Sequence, residues 1–221
     1  MNGLIMINKK IQYTILWSIF CFVSTNTFAK NNAIVYYKQG NLEAKDHKYE
    51  EAIKYYNLAI NDDSKFYKAY RNKCLALSKL KRYKESISCY DTVISMNSQD
   101  PEVYNAKGGD LGALLRYNAA IDNYNKSIDL DSQDYLPHKN KFCPLYNLKR
   151  YQEALETCDK AIALEPNRHN IYEVHTNRAM ALNKLERYQE ALEAAEIALK
   201  IIPSYELAIN AKKYALSQLN N

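Results

Sequence analysis

The residues able to do chemistry in this chain are few and scattered. Its four histidines, His47, His138, His169 and His175, belong to no cluster, and His169 and His175 are six apart. That spacing does not put two metal ligands on one helical face. The chain has no Cys-x-x-Cys pair, no glycine-rich phosphate loop and no Gly-x-Ser-x-Gly elbow. The acidic pairs Glu50-Glu51 and Asp62-Asp63 suit helix N-termini and turns, where carboxylates are favoured by the helix dipole. The expectation is a chain with no catalytic residues, no metal and no cofactor.

Two further sets recur at regular spacing. Cys74 and Cys89 are 15 residues apart, as are Cys143 and Cys158. In an oxidising compartment such pairs are able to form disulfides. The expectation favours the simpler account, four reduced cysteines used as small apolar packing residues. A cation also precedes a tyrosine five times: Lys48, Arg82, Arg116, Arg150 and Arg187. A basic rim for acidic partners is one reading. The other, preferred, is that these cations face the C-terminal dipole of the helix before them.

Those cations mark a repeat. Basic-Tyr-x-x-small-aliphatic begins at residues 48, 82, 116, 150 and 187, with spacings of 34, 34, 34 and 37. The copies at Arg150 and Arg187 share the seven residues Arg-Tyr-Gln-Glu-Ala-Leu-Glu. Nine positions before each tyrosine stands Gly40, Cys74, Gly108, Phe142 or Ala179. Seven after it stands Tyr56, Tyr90, Tyr124, Cys158 or Ala195. Offsets of 3, 4, 7 and 11 around the motif are helical periodicity. Polar breaks close the units at Asp62-Asp63-Ser64, Asn97-Ser98, Asp131-Ser132, Glu165-Pro166 and, more weakly, Ile202-Pro203. Each unit therefore reads as two antiparallel helices with a tight turn just before the tyrosine. A single hairpin buries too little surface to stand alone, so the units must stack.

Period 34 with these small, Tyr, Ala and Pro positions resembles the tetratricopeptide repeat (TPR) family, over residues 33 to 205. The resemblance implies an all-α, right-handed α-solenoid of five helical hairpins, 33–66, 67–100, 101–134, 135–168 and 172–205, with 206–221 as a C-terminal capping helix and tail. Lys212, Lys213, Ser217 and Gln218 would supply the outer face of that cap. Ser64, Ser98 and Ser132 depart from the family's terminal proline. His169-Asn170-Ile171 is an insertion. Gly108, Gly109 and Gly112 crowd one first helix, and Pro144 sits inside another, where it costs about 3 kcal/mol. Drift in a tolerant scaffold or a local kink would each account for them.

The family implies a protein or peptide partner bound in a concave groove lined by the first helices. By position, the groove residues are Tyr37 and Asn41 with Ala44 and Lys45; Arg71, Leu75 and Lys79 with Ser78; Asn105, Gly109, Gly112 and Ala113; Lys139, Tyr146 and Asn147 with Cys143; and Thr176, Asn183 and Lys184 with Met180. Lys68 joins Arg71 and Lys79 in a cationic second repeat. The family's best-known ligand is a C-terminal carboxylate clamped by Lys, two Asn, Lys and Arg. Only Asn41 and Asn72 match, while Tyr37, Glu102 and Ala106 replace the cations, so that ligand is not expected. What is expected is a segment with an acidic residue near an apolar anchor, docked across repeats 2 to 4, its carboxylate on Arg71. Alternatives are an envelope assembly factor binding through its convex or edge surface, and a regulatory subunit of an enzyme on another chain.

The N-terminus has its own pattern. Lys9 and Lys10 precede an apolar run from Ile11 to Val23, and Thr27 and Ala29 end the segment. That order predicts a signal peptide cleaved after Ala29 and an exported chain. The alternative is an uncleaved membrane anchor, although thirteen helical residues rise only about 20 Å. Only 5 Gly and 5 Pro in 221 residues argue against a turn-rich β fold. The net charge of +5, or +3 without the first 29 residues, gives no case for nucleic acid, and membrane contact is expected only through a retained anchor.

Overall fold

A computed structural model describes residues 32–165 and 169–220. The expected signal segment 1–29 and the family-like Pro166 lie outside the described residues. The described residues form eleven α-helices and no strand. They belong to two compact units, Met1–Arg82 and Tyr83–Asn221. The first holds α1 (32–45), α2 (Tyr49–Asp62) and α3 (Tyr67–Lys79). The second holds α4 (Tyr83–Met96), α5 (Pro101–Ala113), α6 (Tyr117–Leu130), α7 (Tyr135–Asn147), α8 (Tyr151–Leu164), α9 (Ile171–Lys184), α10 (Tyr188–Ile201) and α11 (Glu206–Leu219). No helix among the described residues is long and apolar enough to cross a membrane.

In the second unit each helix packs on its neighbour in sequence, and α5 packs on α7, α7 on α9 and α9 on α11. That ladder of next and next-but-one contacts is how stacked hairpins share one core. The second helix of each hairpin buries one stripe: Ala120, Ile121, Tyr124 and Ser127 on α6, and Ala154, Leu155, Cys158 and Ala161 on α8. Ser127 stands where the other repeats carry Ala or Val, and its hydroxyl donates to the carbonyl of Pro101 at 2.8 Å, so the buried polar group is satisfied.

Close approach within a hairpin depends on matched sizes. A Cβ on Gly40 would lie 2.6 Å from Cε1 of Tyr56, and one on Gly108 would lie 2.8 Å from Cε1 of Tyr124. Only glycine fits under those rings. In the same register Phe142 faces Cys158, both buried in one cluster, so the large residue has changed sides. The fifth hairpin has Ala179 and Ala195 there, both buried. On α11, Lys213 occupies the position of Gly40 and Gly108, and it is exposed. An exposed lysine there gives α11 a polar face, as expected of a capping helix. Lys212 pairs with Glu196 at 2.8 Å.

All five intra-hairpin turns share one conformation. His47, Lys81, Leu115, Lys149 and Glu186 have φ between 59° and 61°. Each lies two residues before the motif tyrosine. The next N–H reaches back five residues, as in Lys48 to the Glu43 carbonyl at 2.9 Å and Arg116 to the Leu111 carbonyl at 2.9 Å. This is a Schellman ending, normally the province of glycine. The cation before each tyrosine thus closes the first helix through its backbone and begins the second. Its side chain often finds an acid: Arg150 forks onto Glu153 at 2.6 and 2.7 Å, and Arg187 onto Glu190 likewise. The dipole account of these cations is therefore joined by ion pairing.

Neither Gly nor Pro breaks its helix. α5 runs unbroken through Gly108, Gly109 and Gly112, started by Pro101 at its first turn and by Asp100, whose carboxylate accepts the Glu102 N–H at 3.0 Å. α7 continues through Pro137 and Pro144, both buried. The insertion supplies the turn before α9 and its first residue, Ile171, which is buried. The cysteines depart from expectation. Cys143 and Cys158 carry free thiols, but Cys74 in the first unit and Cys89 in the second are each disulfide-bonded. Packing alone does not account for those two.

Candidate functional site

Each unit has a cleft on the face of its first helices. In the first unit the cleft encloses about 310 Å³ between Asn41, Ala44 and Lys45 of α1, Tyr49 and Tyr56 of α2, and Asn72, Leu75, Ala76 and Lys79 of α3. Spacings of three and four along α1 and α3 put these residues on one helical face each. Tyr56 is held by Gly40, and its hydroxyl donates to Oδ1 of Asn41 at 2.9 Å. Burial pushes the Tyr56 phenol up to about 12, so it remains a donor at neutral pH. Asn72 Nδ2 donates to the same Asn41 oxygen at 2.8 Å and to the Tyr37 hydroxyl at 3.2 Å. The Tyr37 ring rests on Phe66 at 5.0 Å. Leu75, 46 % exposed, forms an apolar wall.

The second cleft, about 490 Å³, is floored by Gly109, Gly112 and Ala113 of α5. Its walls are Tyr117 and Tyr124 of α6, Lys139, Asn140, Cys143 and Pro144 of α7, Glu173 and Asn177 of α9, and Tyr205. A Cβ on Gly109 would come no nearer than 3.9 Å to any neighbour, and one on Gly112 no nearer than 4.0 Å, to Pro144. Packing therefore does not require these two glycines, in contrast to Gly40 and Gly108. Lys139 pairs with Glu173. Asn140 donates to Oδ1 of Asn105 at 3.0 Å, one step along the same face. Burial pushes the Cys143 thiol above its usual range.

The expected groove residues divide between these places. Asn41, Leu75 and Lys79 line the first cleft, with Tyr37 behind it; Lys68, exposed, and Arg71, half-buried, lie outside it. Gly109, Gly112, Ala113 and Lys139 line the second cleft, with Asn105 beside it. Three others are used elsewhere or lie apart. Tyr146 packs on Phe142 and Tyr151 at 5.3 Å each. Asn147 is exposed and donates to the Cys143 carbonyl, and Lys184 is exposed. The fifth hairpin departs most. Thr176 is 1 % exposed and donates to the Tyr172 carbonyl, while Asn183 is 7 % exposed and donates to the Ala211 carbonyl of α11 at 2.9 Å. Both side chains are buried, so these two are structural residues and not groove residues.

Positional reasoning missed the tyrosines of the second helices and Tyr205, which reach the clefts from the side. Asn72, already a match to the family clamp, recurs as Asn140 and Asn177, each eleven residues before its tyrosine. His138 is 8 % exposed, and its Nε2 has no partner among the described residues. Burial, with Lys141 and Lys160 nearby, holds its imidazole below the usual range against the opposing pull of Asp134. No group of three or more His, Cys, Asp or Glu able to hold a metal occurs among the described residues.

The sequence matches the tetratricopeptide repeat family model at residues 67–100, 145–168 and 172–205. Comparison with curated proteins returns no significant match. Among solved structures, the chain is similar to YrrB, a TPR protein with an unusual peptide-binding site. The TM-score is 0.70 at 22 % identity, over 87 % of this chain and 97 % of that one. It is also similar to the MamA protein, at TM-score 0.69 and 16 % identity over 79 % and 96 % of the two chains. MamA residues 41 to the end, from Desulfovibrio magneticus RS-1, give TM-score 0.72 at 15 % identity over 79 % and 97 %. At these identities the likeness is one of fold.

Proposed function

The chain is built from tetratricopeptide repeats, and from that premise we propose that it is a non-enzymatic scaffold that holds a peptide or helix of a partner protein against its first helices. The observation that carries this reading is the floor of the second cleft. Two glycines stand inside α5, each costing a helix about 1 kcal/mol relative to alanine, and neither is needed by its neighbours. A helix that keeps such residues without a packing reason leaves open space for something else. The residues beside that space are mixed as a peptide requires: aromatic rings for an anchor, and the amides of Asn140 and Asn177 for a backbone. YrrB, similar in fold, is a TPR protein with a peptide-binding site. Filling the floor tests the reading. Gly109→Leu should weaken capture of the native partner at least ten-fold while the circular dichroism spectrum keeps its helical minima. Unchanged capture would remove the second cleft from consideration.

The scaffold acts, on this proposal, outside the cytoplasm. The support is the order of charge, apolar run and small residues in the first 29 positions. Intact mass of the protein from its native host should correspond to a chain starting at Lys30. A mass that retains residues 1–29 would replace export by anchoring, or by no export.

A further inference from the structure

We propose that the cleft of the first unit is a second, separate docking site, which takes an internal acidic segment of a partner protein by seating a carboxylate between Lys45 and Lys79 and the neighbouring apolar side chain on Leu75. This does not depend on the second cleft, whose glycine floor and Lys139–Glu173 pair make a different surface.

Charge points to the ligand. Residues 32–82 carry nine Lys and two Arg against six acids, a formal +5, whereas residues 83–221 carry 16 cations against 19 acids, a formal −3. The small net charge of the whole chain hides this asymmetry. Within the first cleft the imbalance is complete, since Lys45 and Lys79 line it and no acid does. Among the described residues neither lysine has a carboxylate within ion-pair distance, although Lys48 and Lys54 in the same unit do. Each stands four residues before its motif tyrosine, so the two occupy equivalent places on successive first helices. Leu75 and the small Ala44 and Ala76 give the cationic rim an apolar wall.

The amides add the preference for a peptide over other anions. Asn41 spends its oxygen twice, on the Tyr56 hydroxyl and on Asn72. Its orientation is thereby fixed, and its Nδ2 donors have no partner among the described residues. Asn72 spends its nitrogen on Asn41 and Tyr37, which leaves its Oδ1 as an acceptor. The cleft thus presents one amide donor and one amide acceptor, the two hydrogen-bonding senses of a peptide unit. The phosphodiester of a lipid or a nucleic acid supplies acceptors alone and leaves the Asn72 oxygen unmatched. The site differs from the family's clamp for a chain terminus, whose cations are replaced here by Tyr37, Glu102 and Ala106.

Peptide display against the immobilised full repeat region (residues 30–221), with peptides held in the middle of a longer carrier chain, is the direct test. Enriched sequences should place Asp or Glu next to Leu, Ile or Met. The best of these, made with blocked ends and a fluorescent label, should bind in an anisotropy titration. Binding should fall ten-fold or more for the double variant Lys45→Gln, Lys79→Gln, fall similarly for the isosteric Asn41→Asp, and stay unchanged for Gly109→Leu. No enrichment, enrichment of basic or uncharged sequences, or equal binding by the lysine double variant would each overturn the proposal. So would loss of binding in Gly109→Leu alone, which would assign the peptide to the second cleft. Displacement by phosphatidylglycerol vesicles or by a single-stranded oligonucleotide at lower charge concentration than the unlabelled peptide would also overturn it, in favour of a general anion surface.

Discussion

Three glycines of α5 differ in what they do, although the sequence writes them alike. Gly108 lies under the Tyr124 ring, and a Cβ there would meet it at 2.8 Å. A Cβ on Gly109, the next residue, would come no nearer than 3.9 Å, to the Tyr124 hydroxyl, an ordinary contact. Gly108→Ala should therefore destabilise the protein by about 1 kcal/mol or more, because overpacking a core at about 1–3 kcal/mol outweighs the gain in helix propensity. Gly109→Ala should do the reverse and stabilise by about 0.5–1 kcal/mol. Urea midpoints of the two variants, measured side by side, check this; equal shifts would mean that Tyr124 yields to the extra carbon. The recurrence of small residues nine before the tyrosine was legible in the sequence, and so was the matching position seven after it. Which of three neighbouring glycines was required by packing was not, since that depends on a ring arriving from another helix. Thr176 and Asn183 fail as groove residues for the same kind of reason. Their positions fit the groove, but both are buried and Asn183 is bonded to α11, and position within a repeat carries no information about a helix beyond the last repeat.

At the scale of the helix, the turns are where local sequence rules lose. A left-handed residue usually announces itself as Gly or Asn, yet the five turns use His47, Lys81, Leu115, Lys149 and Glu186. The hydrogen bonds of the Schellman ending and the start of the next helix hold the conformation against a penalty of about 1–2 kcal/mol per L-residue. Leu115 is the clearest case, at 69 % exposure with little packing to lose. Leu115→Gly should raise stability by about 0.5–1 kcal/mol, the strain relieved being partly offset by the freer unfolded chain. A higher urea midpoint with an unchanged slope is the expected result; a lower midpoint would mean that the leucine contributes contacts that exceed the strain. The same override explains α5 and α7. Burial of Val103, Leu111, Phe142 and Leu145 keeps both helices whole despite their glycines and prolines. The positions of the helices followed from the motif spacing, whereas the strength of each helix did not follow from its composition.

At the scale of the molecule, the cysteines divide into two chemical classes. Alkylation under denaturing, non-reducing conditions should label Cys143 and Cys158 and leave Cys74 and Cys89 unmodified until a reductant is added. Labelling of all four would return them to packing residues only. Equal spacing of 15 residues in both pairs concealed the difference, because the fourth hairpin places bulky Phe142 beside Cys143 and sets Cys158 against that ring. What spacing alone supplied was candidate pairs, and the surroundings of each sulfur decided between them.

The exchange of large and small residues between the third and fourth hairpins has a consequence for how such a chain finds its way. Repeats built on one motif invite mispairing, a helix from one copy settling against a helix from another. A hybrid of the Phe142 helix with the Tyr124 helix would drive two rings into the same space. A hybrid of the Gly108 helix with the Cys158 helix would leave a hole where a ring belongs. The helices of the third and fourth hairpins are thus keyed to their own partners by volume, and exchange between those two is penalised even though both obey the same pattern.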